Sequence, residues 1–325
     1  MRTVTAGDTT ISAVGAGDVS LPTAAARNID KGEVERALAM AIELGITFVD
    51  VSADADSEAL VGRIVRKREV SVMTRVNLVE DRPDRILREI LADRLPPAHV
   101  VSSVEASLRA SKLDVLPFVQ LQLRASWRQS RDWSELEETC ARLVREGKVL
   151  RWTAIAVEDV GARALDPDEP APPSALEVDW LCAIAMPLSM CERKAPRPAK
   201  LILARRPLAG GALAGSLGPG AKLAVRDDRL DVDEAMLIRY AVMAARLAAF
   251  VRTTPPSARA CVESRTWLDA MERPELVECD TIAELALRWC MDQGALALPR
   301  LHRVAHVAEA IAAASLPPLT YDPVA

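Results

Sequence analysis

Short apolar runs and longer amphipathic stretches alternate along this chain. The runs are ISAVG (11–15), ITFVDV (46–51), EVSVMTRV (69–76), LPFVQLQL (116–123), RWTAIAV (151–157), ALEVDWL (175–181), KLILAR (200–205) and ALALP (295–299). Their length and their bounding glycines, prolines and charges predict strands. The stretches between them carry apolar residues at helical spacing. In KGEVERALAMAIELG (31–45) these are Val34, Leu38 and Ile42, and Gly45 marks the stop. PPAHVVSSVEASLRASK (96–112) and TIAELALRWCMDQG (281–294) read the same way, and WSELEETCARLVREGK (133–148) spaces Ser134 and Glu137 as a capping box.

Strand alternating with helix implies parallel pairing, because a parallel partner needs a crossover. Eight such repeats predict one α/β domain over residues 1–325, a (β/α)8 TIM barrel. An open doubly wound sheet would announce itself with G-x-G-x-x-G after its first strand. GAGDVS (15–20) supplies Gly15 and Gly17 without the third glycine. The polar breaks DPDEPAPP (166–173) and ERKAPRPAK (192–200) predict surface loops. SLGPGAKLAVRDDRLDVDEA (216–235) predicts a long loop at the C-terminal barrel face, where substrate loops sit.

Charge and composition narrow the class. With 41 basic and 46 acidic residues the net charge is -5, which argues against nucleic acid or an anionic membrane as partner. No apolar run reaches membrane-spanning length and the first residues lack a signal-peptide core, so a cytoplasmic protein is expected. The six cysteines form no C-x-x-C pair, in keeping with reduced thiols. Only His99, His302 and His306 are available as imidazole ligands, so no metal is expected, and the last two read as surface residues. The chain has two tyrosines, Tyr240 and Tyr321.

Candidate chemistry gathers where strands end. Asp50 closes the second strand and Arg75 lies at the end of the third, so an ion pair at the barrel mouth is expected. It is either a structural pair or an anchor for a polar substrate group. In SADADSE (52–58), Asp54 is a candidate base, while Asp56 or Ser57 suits the cap of the next helix. Trp127 follows the fourth strand with Arg124 beside it, and Arg205 ends the seventh; the three are candidates to line a pocket and bind a carboxylate or phosphate.

These motifs, in this order, resemble the aldo-keto reductase family over nearly the whole length. The matching segments are ALAMAIELGITFVDVSADADSEALVG, VVSSVEASLRASKLDVLPFVQLQL, LVREGKVLRWTAIAV, RRPLAGGALAG and TIAELALRWCMDQGALALPRLHRVAHVAEA. The resemblance implies a barrel that reduces carbonyls with NADPH through an Asp, a Tyr, a Lys and a His. Asp50 matches the Asp. The following loop has no aromatic residue, Arg75 stands at the Lys position and Gln122 at the His position. Around the cofactor, the amide-holding Ser-Asn pair aligns with Ala156 and Val157, the stacking aromatic with Arg205, and the phosphate-turn Gly with Arg300. Leu208 and Gly211 in the Pro-Leu loop and Arg303 remain as cofactor contacts.

The substitutions lead to the expectation of a non-redox enzyme: dehydration, cyclisation, isomerisation or lysis of a small polar or anionic molecule. Asp50 or Asp54 would be the base, with Arg75 and Gln122 polarising. No cofactor is favoured on this reading, although NADP is possible. The alternatives are a non-catalytic homologue that binds a small molecule or a partner protein, and an NADPH-dependent oxidoreductase with atypical catalytic residues.

Overall fold

A computed structural model describes residues 1–81, 86–156, 178–191, 200–214 and 281–318. The chain opens with a hairpin, β1 (Thr3–Ala6) and β2 (Thr9–Ser12). There follow β3 (Ala16–Val19), α1 (Leu21–Ala26), α2 (Lys31–Glu43), β4 (Phe48–Val51), α3 (Ala55–Val65) and β5 (Ser71–Val76). The middle comprises α4 (Leu91–Arg94), α5 (Pro97–Ser111), β6 (Leu116–Leu123), α6 (Trp133–Arg145), β7 (Val149–Ala156) and β8 (Leu181–Pro187). The last described elements are β9 (Leu201–Arg205), α7 (Ile282–Asp292), β10 (Leu296–Ala297) and α8 (Val304–Ser315).

Strands β3 to β10 form one parallel sheet in sequential order. The sheet closes on itself where Gly15 N–H and Gly17 N–H donate to Ala297 O (2.9 Å) and Pro299 O (2.8 Å). Closure leaves no room for a side chain at Gly17: a Cβ there would lie 2.3 Å from Leu298 O. The result is the expected (β/α)8 barrel.

Alternation sorts each strand into an inner and an outer set. Phe48, Met73, Phe118, Ala183, Ala185, Leu203, Leu296 and Leu298 fill the interior, and the rings of Phe48 and Phe118 meet edge-on at 5.4 Å. The hairpin seals the N-terminal end with Ala6 and Ile11. Asp8 in its turn pairs with Arg151, whose guanidinium also lies 5.5 Å from the Phe118 ring centroid. That end of the barrel is thereby plugged.

Several details differ from the sequence reading. The first apolar run is split: Ile11 and Ser12 belong to the hairpin, and the barrel strand begins at Ala16. Of the strand expected at 175–181, residues 175–177 lie outside the described residues and Val178–Trp180 form a turn closed by Leu181 N–H to Val178 O (3.1 Å), so the described strand is 181–187. The capping box of α6 does not form. Ser134 Oγ points back to Arg131 O, while Glu137 Oε1 accepts the indole N–H groups of Trp133 (2.7 Å) and Trp180 (2.9 Å). The 216–235 loop lies outside the described residues, as do both tyrosines, residues 166–173 and most of 192–200. Among the described residues no helix is long and apolar enough to cross a membrane, and no group of metal-ligating side chains is assembled.

Candidate active site

A β-bulge builds the centre of the mouth. Ala16 pairs with Val49 and Val19 with Val51, so β3 carries one residue more than β4 between the two pairs. The extra residue is absorbed by Asp18, whose φ of 48° is left-handed. The bulge aims the Asp18 carboxylate across the mouth, where four partners converge. Ser52 donates its hydroxyl to Oδ1 at 2.9 Å, and Arg75 Nη2 lies 3.3 Å from the same oxygen. Arg300 donates Nε (2.9 Å) and Nη2 (2.5 Å) to Oδ2. Behind it, His302 Nε2 bonds the Asp18 carbonyl at 3.2 Å. A carbonyl only accepts, so this nitrogen carries the proton.

Asp50, on β4, is 6% exposed. Arg75 Nη2, reaching in from β5, lies 3.2 Å from its Oδ1 and 3.4 Å from its Oδ2, and the Asp18 N–H donates to Oδ2 at 3.2 Å. The expected Asp50–Arg75 pair is thus part of a longer ladder, Asp50–Arg75–Asp18–Arg300. Burial alone would raise the Asp18 pKa, but Arg300, Arg75 and Ser52 outweigh it and hold it at about 2. Burial would lower the Arg75 pKa, but Asp50 and Asp18 push it above the ordinary guanidinium value. Arg75 is therefore a fixed cation. Its buried Nε has no hydrogen-bond partner among the described residues, so the carboxylates do not exhaust its donors.

Arg205 ends β9 on the inward phase of Leu203. Among the described residues its guanidinium has no hydrogen-bond or ion-pair partner. Burial, then repulsion from Arg75 and from Arg206, pull its pKa below the ordinary value against the attraction of Asp50 and Asp18. Gln122 is on β6, beside the strand of Arg75, and donates Nε2 to Asn77 Oδ1 at 3.2 Å, so its bond is to Asn77 and not to the Asp50–Arg75 pair.

The remaining candidates are placed elsewhere. Asp54 is the N-cap of α3, its Oδ1 accepting Ser57 N–H at 2.9 Å, so the cap is neither Asp56 nor Ser57. Ser57 Oγ instead accepts Leu21 N–H at 2.8 Å. Trp127 is buried under Arg124, 5.8 Å from guanidinium to ring centroid. Both are tied to Glu89, Trp127 through Nε1 to its carbonyl (3.1 Å) and Arg124 through Nη2 to its carboxylate (2.9 Å). Leu208 precedes the 3-10 turn Ala209–Ala214, which contains Gly211 and a run of left-handed backbone at Ala209, Gly210 and Gly211. Arg303 is exposed at the start of α8, with Glu33 3.5 Å away.

Sequence reasoning missed Asp18 and misread His302, which is 2% exposed. One signal was available for Asp18. Arg75 and Arg205 lie at the ends of β5 and β9 and Arg300 just beyond β10, and Asp50 alone is too little charge to hold them. The acid in GAGDVS, just after the first predicted strand, was a further carboxylate at a strand end.

Comparison with known proteins agrees with this architecture. The model of the aldo/keto reductase family matches residues 13–325. A glycerol dehydrogenase from Gluconobacter oxydans superposes with a TM-score of 0.65 at 19% identity, covering 98% of this chain and 91% of that one. An aldo/keto reductase from Klebsiella pneumoniae, in complex with NADP and acetate, gives 0.55 at 21%, covering 97% and 90%. An aldo-keto reductase from Bacillus halodurans in its holo form gives 0.64 at 18%, covering 99% and 93%. No curated protein sequence matches. With the family model spanning all but the first hairpin strands, the chain belongs to the aldo/keto reductase family.

Proposed function

We propose that the chain is an NADP(H)-dependent oxidoreductase acting on a small carbonyl or alcohol, with a guanidinium as the electrophile at the reacting oxygen. The observation that carries this reading is the Arg75 cation locked between Asp50 and Asp18 at the mouth of a reductase-family barrel. The family match and the NADP complex of the Klebsiella structure support it over the non-redox chemistry expected from residue identities alone, and over the expectation of no cofactor.

The residues present fit the phosphates of such a cofactor. Arg206 and Arg303 are exposed guanidiniums, and Leu208 and Gly211 belong to a tight turn of left-handed backbone beside Arg206. Bound NADPH supplies the hydride. The chain's own residues do the rest. Arg75 donates toward the carbonyl oxygen as negative charge develops there, and it moves no proton because two carboxylates hold it charged. Asp50 and Asp18 fix its position, so little reorganisation accompanies the reaction. Arg300 and Asp18 are 28% and 26% exposed, so water reaches the cluster and protonates the alkoxide.

A second reading keeps the same cluster without the hydride. It rests on the absence of a tyrosine among the described residues and on the Asp50 carboxylate beside a fixed cation, an arrangement suited to proton abstraction next to a polarised carbonyl. Titration of the full chain with NADPH, followed by fluorescence, separates the two. The redox reading expects saturable binding at roughly micromolar concentration, the usual range for such ligands. Absence of saturable binding overturns it and leaves the second.

A further inference from the structure

Among the described residues the charge at the mouth is lopsided. Arg205, Arg300, Asp18, Asp50 and Arg75 occupy five consecutive strands of the closed barrel, β9, β10, β3, β4 and β5, with Arg300 just beyond β10. The inward positions at the ends of the other three strands are Gln122, Ile155 and Pro187, which carry no charge. Within the charged arc both carboxylates are committed: Asp18 is shared between Arg75 and Arg300, and Asp50 is taken by Arg75. Among the described residues these three guanidiniums face two carboxylates, and Arg205 is the one that makes no ion pair.

A largely buried cation beside a second cation is costly unless an anion meets it. We infer that Arg205 is the subsite for a carboxylate on the substrate, set beside Arg75 so that a carbonyl compound bearing a carboxylate presents its oxygen to Arg75. Charge decides which anion. A carboxylate brings one negative charge to the one guanidinium of the arc that has no ion-pair partner among the described residues, and its two oxygens match a guanidinium edge. A phosphate dianion would overshoot next to Asp18 and Asp50. The uncharged arc then faces the rest of the substrate. This assignment rests on the mouth being the reaction site, and it holds whichever reaction runs there.

The test is calorimetric and uses the full chain without nucleotide, so failure of hydride chemistry does not affect it. Propionate, propionamide and inorganic phosphate are titrated into the wild type, Arg205→Met and Arg205→Gln. The second variant keeps a planar polar end in case the first does not fold. Propionate is expected to bind the wild type at least about tenfold more tightly than either variant, the value of one hydrogen-bonded charge. Propionamide is expected to show no measurable binding. Equal propionate affinity in the wild type and the variants overturns the assignment, as does tighter binding of propionamide or phosphate than of propionate. Carboxylate binding together with failed NADPH binding would leave this subsite standing and remove the redox reading alone.

Discussion

At the residue scale, the site depends on which charges are fixed and which are free. His302 shows how far a neutral ring can serve this. Burial holds its pKa at about 4, below the ordinary 6.5, even though the Asp18 carbonyl bond and the Asp18 charge favour protonation. The unfolded chain therefore binds a proton at a higher pH than the folded one. Stability from this residue is complete above about pH 6.5 and is lost as pH falls toward 4. Over that window it amounts to about 3 kcal/mol. Denaturant melts of the wild type and His302→Gln between these limits should diverge, the variant losing the steeper part of its slope. Parallel profiles would show that His302 is not the titrating group. Asp18, by contrast, keeps its charge down to about pH 2 and anchors the ladder at every working pH. Neither role was legible from identity alone. Imidazoles at 302 and 306 read as a surface pair, and only the chain's return past the bulge buries the first while leaving the second exposed.

At the element scale, what the sequence conveyed was periodicity, and what it hid was register. LPFVQLQL became β6 at the expected residues because its apolar run ends in a clear charge, Arg124. ALEVDWL was displaced because Leu181 also begins a second apolar run, CAIAMPL, and pairing with β7 and β9 selects the later one. Bulges cannot be read this way, since one extra residue in β3 leaves the apolar pattern unchanged while redirecting Asp18. Two helix positions give direct tests. Asp54 was a candidate base, yet it caps α3. Asp54→Ala should lower stability by about 1 kcal/mol in a denaturant melt and leave steady-state kinetics unchanged. A loss of kcat larger than the loss of stability would restore it to the chemistry. Gly62 lets α3 lie directly on α5: a Cβ there would fall 1.9 Å from Ser111 O. Gly62→Ala should therefore cost about 3 kcal/mol by forcing the two helices apart. An unchanged melt would contradict that packing.

At the scale of the whole molecule, the hairpin seals one end of the barrel. Closure between β10 and β3 then brings Arg300 against Asp18, although 282 residues separate them. The fold was readable from the alternation of strands and helices, and from motifs in family order. The charged arc was not, because it exists only once the first and last strands meet. That arc also shifts the functional reading. Residue by residue, Arg75 and Gln122 looked like losses. Assembled, Arg75 is a cation clamped by two carboxylates, in one mouth with an Arg205 that has no ion-pair partner among the described residues, in a chain of a reductase family. The most direct measurement is the rate of NADPH oxidation with a carboxylate-bearing aldehyde, in the wild type and in Arg75→Met, alongside the NADPH affinity of each. The expected result is turnover by the wild type and a fall in kcat of at least about a hundredfold in the variant, with NADPH affinity held within about twofold. Turnover equal in both proteins, or none in the wild type with any carbonyl compound offered, would contradict the account.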